Sequence, residues 1–503
     1  MKAAYLNVWS KKGIAEMAYG LKAAGLELYA SGSTAKTLAQ AELEINPGLE
    51  RPPSPAQVVS ALELDPENPA DARKLAELDF PRPDIVVCNL HPISEIISQE
   101  SFALHELARY VDIWNSALLR AAARSWESAG VVCDFSDYAT VLSAIKEFGE
   151  LHEKRRRQLA VKALLYCAYY DSTVAQFLAE RRQDVLSDEL VLPLKKVSAL
   201  SYGENPQQNA ALYSVAGARP WGVTRSRIIH GKPLRFNHYV DLDQAWETAC
   251  EFDGAACVIV KHGTPCGAAC AQNSAEAFRE AYETDRTGSQ GATVVFNRQL
   301  TDKAAALLAD ESFELIAAPD FENGALEVLR SRRENRLVLI PSTLVSADEV
   351  ELRSISGGVL VQENDSGRGG QTPAAATRRK PTQDEAASLG FAMKVAKHAR
   401  SYAMVVAQGL RTISIGSGLP SRRESLKAAL QKAKEKHPIV EPARPLVLAC
   451  DAALTPDCVK DAARAGISAI SQPGGSAEDK DCAALCDARN MAMLLTGLRH
   501  IRH

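Results

Sequence analysis

Val258-Ile-Val-Lys-His-Gly-Thr-Pro-Cys-Gly267 carries a Lys-His pair from a short apolar run into a turn punctuated by Pro265 and Gly267. β-Branched residues suit a strand, and Pro and Gly suit the loop at its end. A loop on a rigid strand is where a folded chain presents groups that must meet a substrate. Lys261 offers a fixed positive charge, and His262 belongs to the residue type that ordinarily titrates near neutrality. A Lys-His pair on a loop is, on its own, more often surface than site, so its surroundings decide the reading.

The 503 residues are enough for two to four domains, and 46% hydrophobic with 24% charged residues is ordinary for a globular chain. A net charge of −4 gives no electrostatic footprint for nucleic acid or a membrane surface. The basic cluster Lys154-Arg155-Arg156-Arg157 reads as a solvated helix face. No signal peptide and no apolar run of about 18 residues is found, so a soluble, cytoplasmic protein is expected. The eleven cysteines are scattered. Cys266 and Cys270, like Cys482 and Cys486, have CxxxC spacing without a nearby histidine ligand set, which favours reduced thiols over a disulfide framework or structural zinc.

The first ~185 residues alternate strand and helix signals. Ala4 to Val8, Leu26 to Tyr29, Asp84 to Cys88 and Gly130 to Cys133 read as strands, and Ile14 to Ala24 and Tyr138 to Glu147 as helices. That alternation predicts an α/β fold with a parallel sheet covered on both faces. Asn46 to Ala70 is Pro-rich and reads as a loop. A long helix, Leu151 to Arg181, is expected to close the first domain, with a linker at Leu186 to Lys195. From Val197 strands and helices mix again, in two halves joined by the Gly-, Ser- and Arg-rich segment Asn364 to Pro381. The halves share an outline but no literal repeat.

Other stretches combine small and polar residues. Leu28-Tyr-Ala-Ser-Gly-Ser-Thr-Ala-Lys36 follows a strand and opens a helix, an arrangement suited equally to phosphate and to a plain capped turn. Leu200-Ser-Tyr-Gly-Glu-Asn-Pro-Gln-Gln208 is a polar turn, and Gly416-Ser-Gly-Leu-Pro-Ser-Arg-Arg423 brings two arginines suited to phosphate or carboxylate. In Gln472-Pro-Gly-Gly-Ser476, Ser476 and Asp479 resemble a capping box.

Taken in order, SGSTAKTL, NLHPI, ALLRAAA, YGENPQQ, DLDQAWE, VKHGTPCG, APDF, ISGGVLVQ, SRRES, CDAALTP, QPGGS and TGLRHIRH span nearly the whole chain. Together they resemble the bifunctional purine-biosynthesis enzymes that combine aminoimidazole carboxamide ribonucleotide (AICAR) transformylase with inosine monophosphate (IMP) cyclohydrolase. The chain reads as a divergent member. The resemblance implies a methylglyoxal-synthase-like parallel-sheet domain over 1–185, then two cytidine-deaminase-like α/β subdomains over 197–363 and 382–503. It implies a nucleotide substrate, 10-formyltetrahydrofolate as co-substrate, no metal, and a homodimer with transformylase sites across the interface.

By the same resemblance His262 transfers the proton and Lys261 is its electrostatic partner. Asp451 helps bind folate, Arg499 and Tyr202 contact the nucleotide, and Arg422 is a further binding residue. The cyclohydrolase-type site maps onto Lys11, Ser33, Thr34, Lys36, Asp112 and Arg124.

The departures cluster in the sites. Ser201 stands where the family has a phosphate-binding Arg, with Arg422 or Arg423 as candidate compensation; losing an Arg–phosphate pair costs ~2–5 kcal/mol if that phosphate is buried. The Asn expected in the helix after Lys394-x-x-Lys397-His398 is Tyr402. A loop Phe is Gln290, an Asn is His238, and a Gln is Leu419. In the first domain the family's Lys-Thr-Leu-His-Pro run is absent, replaced by the shorter stretch Arg51 to Asp71. His91 replaces Tyr, and Trp114-Asn115-Ser116 replaces Gly-Gly-Pro, with Trp114 expected to fill the space the glycines leave open. Arg124 replaces Lys. Ring closure is therefore expected to be lost or much reduced. Three readings follow: a working transformylase, a paralogue acting on another folate or nucleotide substrate, and a non-catalytic nucleotide-binding homologue.

Overall fold

Near-continuous burial of Ala3–Val8 (β1) marks a strand covered on both faces, as a parallel sheet requires. The computed structural model describes residues 2–99, 102–179, 186–216, 222–332, 335–341, 350–366, 372–435 and 444–503. The chain forms two units, residues 1–195 with 214–219 and residues 196–213 with 220–503.

In the first unit β1 is followed by α1 (Ile14–Ala23), β2 (Glu27–Ala30), α2 (Gly32–Gln40), α3 (Pro55–Glu63), α4 (Pro69–Ala76), β3 (Ile85–Asn89), α5 (Ile93–Ile96), α6 (Ile113–Arg124), β4 (Gly130–Val132), α7 (Tyr138–Phe148) and α8 (Glu153–Leu178). The four strands make one parallel sheet in the order β2-β1-β3-β4. These strands and α1 and α7 lie close to their expected positions. Helix α8 ends at Leu178, and residues 180–181 of the expected longer helix lie outside the described ones.

The Pro-rich stretch is a correction. It holds α3 and α4, each with proline in its first turn. Proline lacks the amide that a helix start leaves unpaired anyway, so there it begins a helix. Ser54 and Gln57 complete a capping box, and Val58, Ala61 and Leu62 are buried at helical spacing.

β5 (Leu194–Leu200) and β6 (Ala210–Val215) form a separate ribbon. The second unit is built on a twelve-stranded sheet, β15-β20-β19-β18-β16-β17-β9-β8-β10-β11-β12-β7. Its first half contains β7 (Arg227–His230), α9 (Phe236–Cys250), β8 (Ala255–Lys261), β9 (Thr264–Ala271), α10 (Ser274–Thr284), β10 (Thr293–Phe296), α11 (Asp302–Ala309), β11 (Leu315–Ala318), α12 (Asn323–Arg330) and β12 (Arg336–Leu339). After a hairpin, β13 (Val350–Ile355) and β14 (Gly358–Glu363), the second half contains β15 (Ala374–Ala375), α13 (Gln383–Lys397), β16 (Met404–Gln408), β17 (Arg411–Gly416), α14 (Arg422–Glu435), β18 (Val447–Cys450), α15 (Pro456–Arg464), β19 (Ala469–Gln472), α16 (Asp479–Asp487) and β20 (Ala492–Leu495).

The two halves repeat one another element for element. Each begins with an edge strand and a helix, makes an antiparallel hairpin (β8–β9, β16–β17), and ends in parallel strands. The joining segment is not merely a connection, because it supplies edge strand β15.

Side chains along β8 alternate between two cores. Ala256, Val258 and Val260 face the cluster shared by α9 and α13, where Phe252 stacks on Phe391 at 5.1 Å. Cys257 and Ile259 face the cluster under α10, α11 and α12, and a matching cluster lies under α14, α15 and α16. The halves meet at β9 and β17. There the buried Thr412 hydroxyl bonds the amide and carbonyl of Ala268, at 2.9 and 3.0 Å, and Thr284 donates to the Thr412 carbonyl at 2.8 Å.

The C-terminal tail is tied down. Arg502 pairs with Glu247 at 3.1 Å, and His500 meets Asp365 at 2.6 Å. Beside them Glu251, bonded to His398 and Lys397, is held well below the usual carboxylate range, at about 2. The tail lines a cavity of about 730 Å³. All eleven cysteines are free thiols. No helix among the described residues is long and apolar enough to cross a membrane.

The repeat extends to how each central strand meets its helix. A Cβ at Gly267 would lie 2.1 Å from the Ala281 carbonyl oxygen, and one at Gly416 would lie 2.1 Å from that of Ser425. Gly267→Ala and Gly416→Ala should each lower stability by roughly 1–3 kcal/mol or more, the cost of overpacking against backbone. Urea denaturation checks this, with Gly254→Ala as the control, since nothing lies within 4 Å of that position.

Candidate functional site

The β8–β9 turn is tighter than its sequence required. His262 and Gly263 both take left-handed backbone conformations, with φ 55° and 65°. For histidine that is uncommon and costs energy. Asp241 on α9 holds the turn by accepting the Gly263 amide at 2.6 Å, and the His262 amide bonds the same carboxylate. Burial pushes the Asp241 carboxyl up, while these bonds and His262 pull it down. The His262 side chain stays exposed.

Lys261 shares the sheet face of Cys257 and Ile259, and its Nζ donates to the Gln290 carbonyl at 2.6 Å. It lines a cavity of about 240 Å³ with Cys266, Asp285, Ser417, Leu419 and Lys432. Burial pushes the Cys266 thiol up to about 11, which keeps it protonated. Gln290 thus contributes a backbone acceptor where the family has an aromatic ring, and Leu419 contributes wall.

Asp451 is fully buried after β18 and accepts from Ser401 Oγ and, at 2.9 Å, from the Ala403 amide. Burial pushes its carboxyl up, against those bonds and the nearby Arg422. Tyr402 lies beyond the end of α13, in the bend before β16, and not in a helix. Arg422 sits 4.9 Å over the Tyr402 ring, and its buried Nε has no partner among the described residues. Arg423 pairs instead with Asp461, at 3.0 Å, and Asp457. Arg499 is exposed and makes no ion pair among the described residues.

Around Tyr202 the structure adds a residue that the motifs do not single out. Ser201 is exposed, yet Arg235 donates to the Tyr202 hydroxyl at 2.7 Å and to Glu314 at 2.6 Å. His238, 3% exposed, accepts the Arg235 amide on Nδ1 at 3.0 Å and meets Glu314 through Nε2 at 2.7 Å. Both ring nitrogens are therefore engaged. Arg235 was visible in the sequence as a cation immediately before a helix whose first turn holds no acid. The helix dipole makes that position unfavourable for a cation.

In the first unit Thr34 turns inward. Its hydroxyl bonds the Val8 amide and carbonyl, at 3.0 and 3.1 Å, and takes Lys11 Nζ at 3.2 Å. Burial lowers the Lys11 pKa. Ser33 and Lys36 are exposed in the first turns of α2. Asp112 caps α6 and Arg124 lies in its last turn, so about 18 Å of helix separates them.

Trp114 does not fill the space expected of it, being 57% exposed. Asn115 takes the interior position, bonding Asp112 at 2.9 Å, the Asn89 carbonyl at 3.3 Å and Asn7 at 2.6 Å. His91 packs on Trp9 with ring centroids 3.9 Å apart.

Comparison with known proteins agrees with the motif reading. The AICARFT/IMPCHase bienzyme family matches residues 122–432. The bifunctional purine biosynthesis proteins PurH of Acetivibrio thermocellus and Persephonella marina are each 34% identical over the whole of both chains. That of Bacillus cereus (strain B4264) is 35% identical over the same span. Among solved structures, that of ForH covers 35% of this chain and 97% of its own at 28% identity, with a TM-score of 0.30, too low to bear on the fold. With full-length relatives at this identity, the chain belongs to the family of bifunctional purine-biosynthesis enzymes that join AICAR formyltransferase to IMP cyclohydrolase.

Proposed function

We propose that the second unit transfers the formyl group of 10-formyltetrahydrofolate to the 5-amino group of AICAR, and that the first unit no longer closes the ring. The observation that carries the first part is the Lys261–His262 turn. It puts a lysine in the wall of a cavity and an exposed histidine beside it, on a backbone fixed by Asp241.

The 5-amino group is conjugated with its ring and carboxamide and is a poor nucleophile. As its nitrogen bonds the formyl carbon, His262 takes the amine proton, and the Lys261 ammonium offsets charge on the tetrahedral oxygen. Breaking the bond between the formyl carbon and folate nitrogen then returns the proton to that nitrogen. Asp451 is assigned to the folate side, and Tyr202, Arg422 and Arg499 to the nucleotide.

The parallel sheet of the first unit supports a methylglyoxal-synthase-like assignment. The repeated strand order of the second supports two cytidine-deaminase-like subdomains, over 197–363 and 382–503. Arg499, exposed and without an ion pair among the described residues, supports a homodimer in which a second copy completes each site. A cytoplasmic location fits substrates of this class.

Loss of ring closure rests on Asn115. Its side chain and three bonding partners occupy backbone surface that glycines would leave open to the nucleotide.

His262→Asn should lower turnover by about 10²–10⁴-fold, and Lys261→Ala by about 10²–10³-fold, with denaturation midpoints unchanged. Formyl transfer followed by folate absorbance checks both; an active enzyme indifferent to either change would refute the assignment. Given formyl-AICAR alone, the protein should form IMP no faster than buffer does. Accelerated IMP formation would mean that the first unit still closes the ring.

A further inference from the structure

Ser201 leaves the position before Tyr202 uncharged, Arg422 lies over the Tyr402 ring, and Arg423 pairs with Asp457 and Asp461. The charge at Tyr202 comes from a distant part of the chain. Arg235 lies at the N-terminus of α9, with its guanidinium carbon 5.8 Å from the Tyr202 ring centroid and Nη1 on the hydroxyl at 2.7 Å. Glu314 fixes the other arm at 2.6 Å.

His238 completes the clamp. Its Nδ1 accepts the Arg235 amide, so Nε2 carries the ring proton and donates to Glu314. That tautomer holds the residue rigidly without adding a second charge.

Two features set this arginine apart from a surface ion pair. Its side chain is 32% exposed, so part of the fork remains open to a ligand while Tyr202, His238 and Glu314 fix its plane. It also breaks a local rule, because a cation at the positive end of a helix with no acid in the first turn is disfavoured, and the anion that offsets it, Glu314, comes from elsewhere in the chain and engages only one arm of the fork. Such local conflicts mark functional positions. Planar, preorganised guanidinium is the group best matched to phosphate oxygens.

We propose that Arg235 is the ligand of the nucleotide 5′-phosphate in the transformylase site, supplying from α9 the guanidinium that position 201 lacks. Glu314 and His238 are its positioning residues. The inference rests on the formyl-transfer reading above, since it assumes that Tyr202 faces the nucleotide.

Calorimetric titration of the full-length protein with AICAR and with its dephosphorylated riboside tests it. Wild type should bind the nucleotide more tightly than the nucleoside. Arg235→Ala should weaken nucleotide binding by about 10-fold or more, the scale for losing a hydrogen bond to a charged group. It should leave nucleoside binding nearly unchanged, so the discrimination collapses. Arg235→Gln, which keeps a donor for Tyr202, should show the same collapse, and it serves if the alanine variant fails to fold. Adding Ser201→Arg to either variant should restore part of the discrimination.

Equal weakening of both ligands would mean that Arg235 only props Tyr202, and no weakening would mean that it is uninvolved; either result overturns the inference alone. A wild-type protein that binds neither ligand would overturn the formyl-transfer reading along with it.

Discussion

The bond from the Gly263 amide to the Asp241 carboxylate, 2.6 Å long, is the constraint on which the site depends. It joins α9 to the β8–β9 turn and holds His262 in a backbone conformation that histidine otherwise avoids. The twelve-stranded sheet supplies the rigidity behind it. β8 and β9 sit at the middle of that sheet, locked to β17 through Thr412 and Thr284, with apolar cores on both faces. The equivalent turn of the second half, between β16 and β17, carries Gln408 and Gly409 in place of a Lys-His pair. The repeat therefore presents the Lys-His pair once, while the other half carries the buried Asp451 and supplies Ser417, Leu419 and Lys432 to the wall of the cavity.

The altered residues are linked in groups, which changes what each alteration means. Beside the uncharged Ser201, Tyr202, Arg235, His238 and Glu314 form one charge-balanced cluster. Tyr402 and Arg422 form another, face to cation. In the first unit Asn115 joins Asn7, Asn89 and Asp112 in one buried network. The first two leave charged or polar groups around an accessible site. The third fills its own space and binds itself, so the two units depart from their family in opposite directions.

Local structure is legible where burial and period agree. β1, β3, β4, α1 and α7 fall close to their expected positions because each buries a nearly unbroken or helically spaced apolar face. The Pro-rich stretch is deceptive because proline both breaks helices and begins them. The Ser54–Gln57 box is the signal that distinguishes the two. Long-range features are not legible. The internal repeat lives in strand order, with no period in the residues. Arg235 meets Tyr202 across 33 positions of chain, and Trp114 looks space-filling only because nothing local says which way a side chain points.

Turnover of Asp241→Ala, measured with AICAR and 10-formyltetrahydrofolate alongside a thermal midpoint, tests the central claim most directly. The variant removes no group assigned to chemistry or to substrate. If the turn must be held for Lys261 and His262 to work, kcat should fall by about 10²-fold, the scale of a misplacement near 1 Å, while the protein stays folded. A folded variant with turnover within about two-fold of wild type would contradict it, because catalysis would then not depend on the geometry that Asp241 imposes.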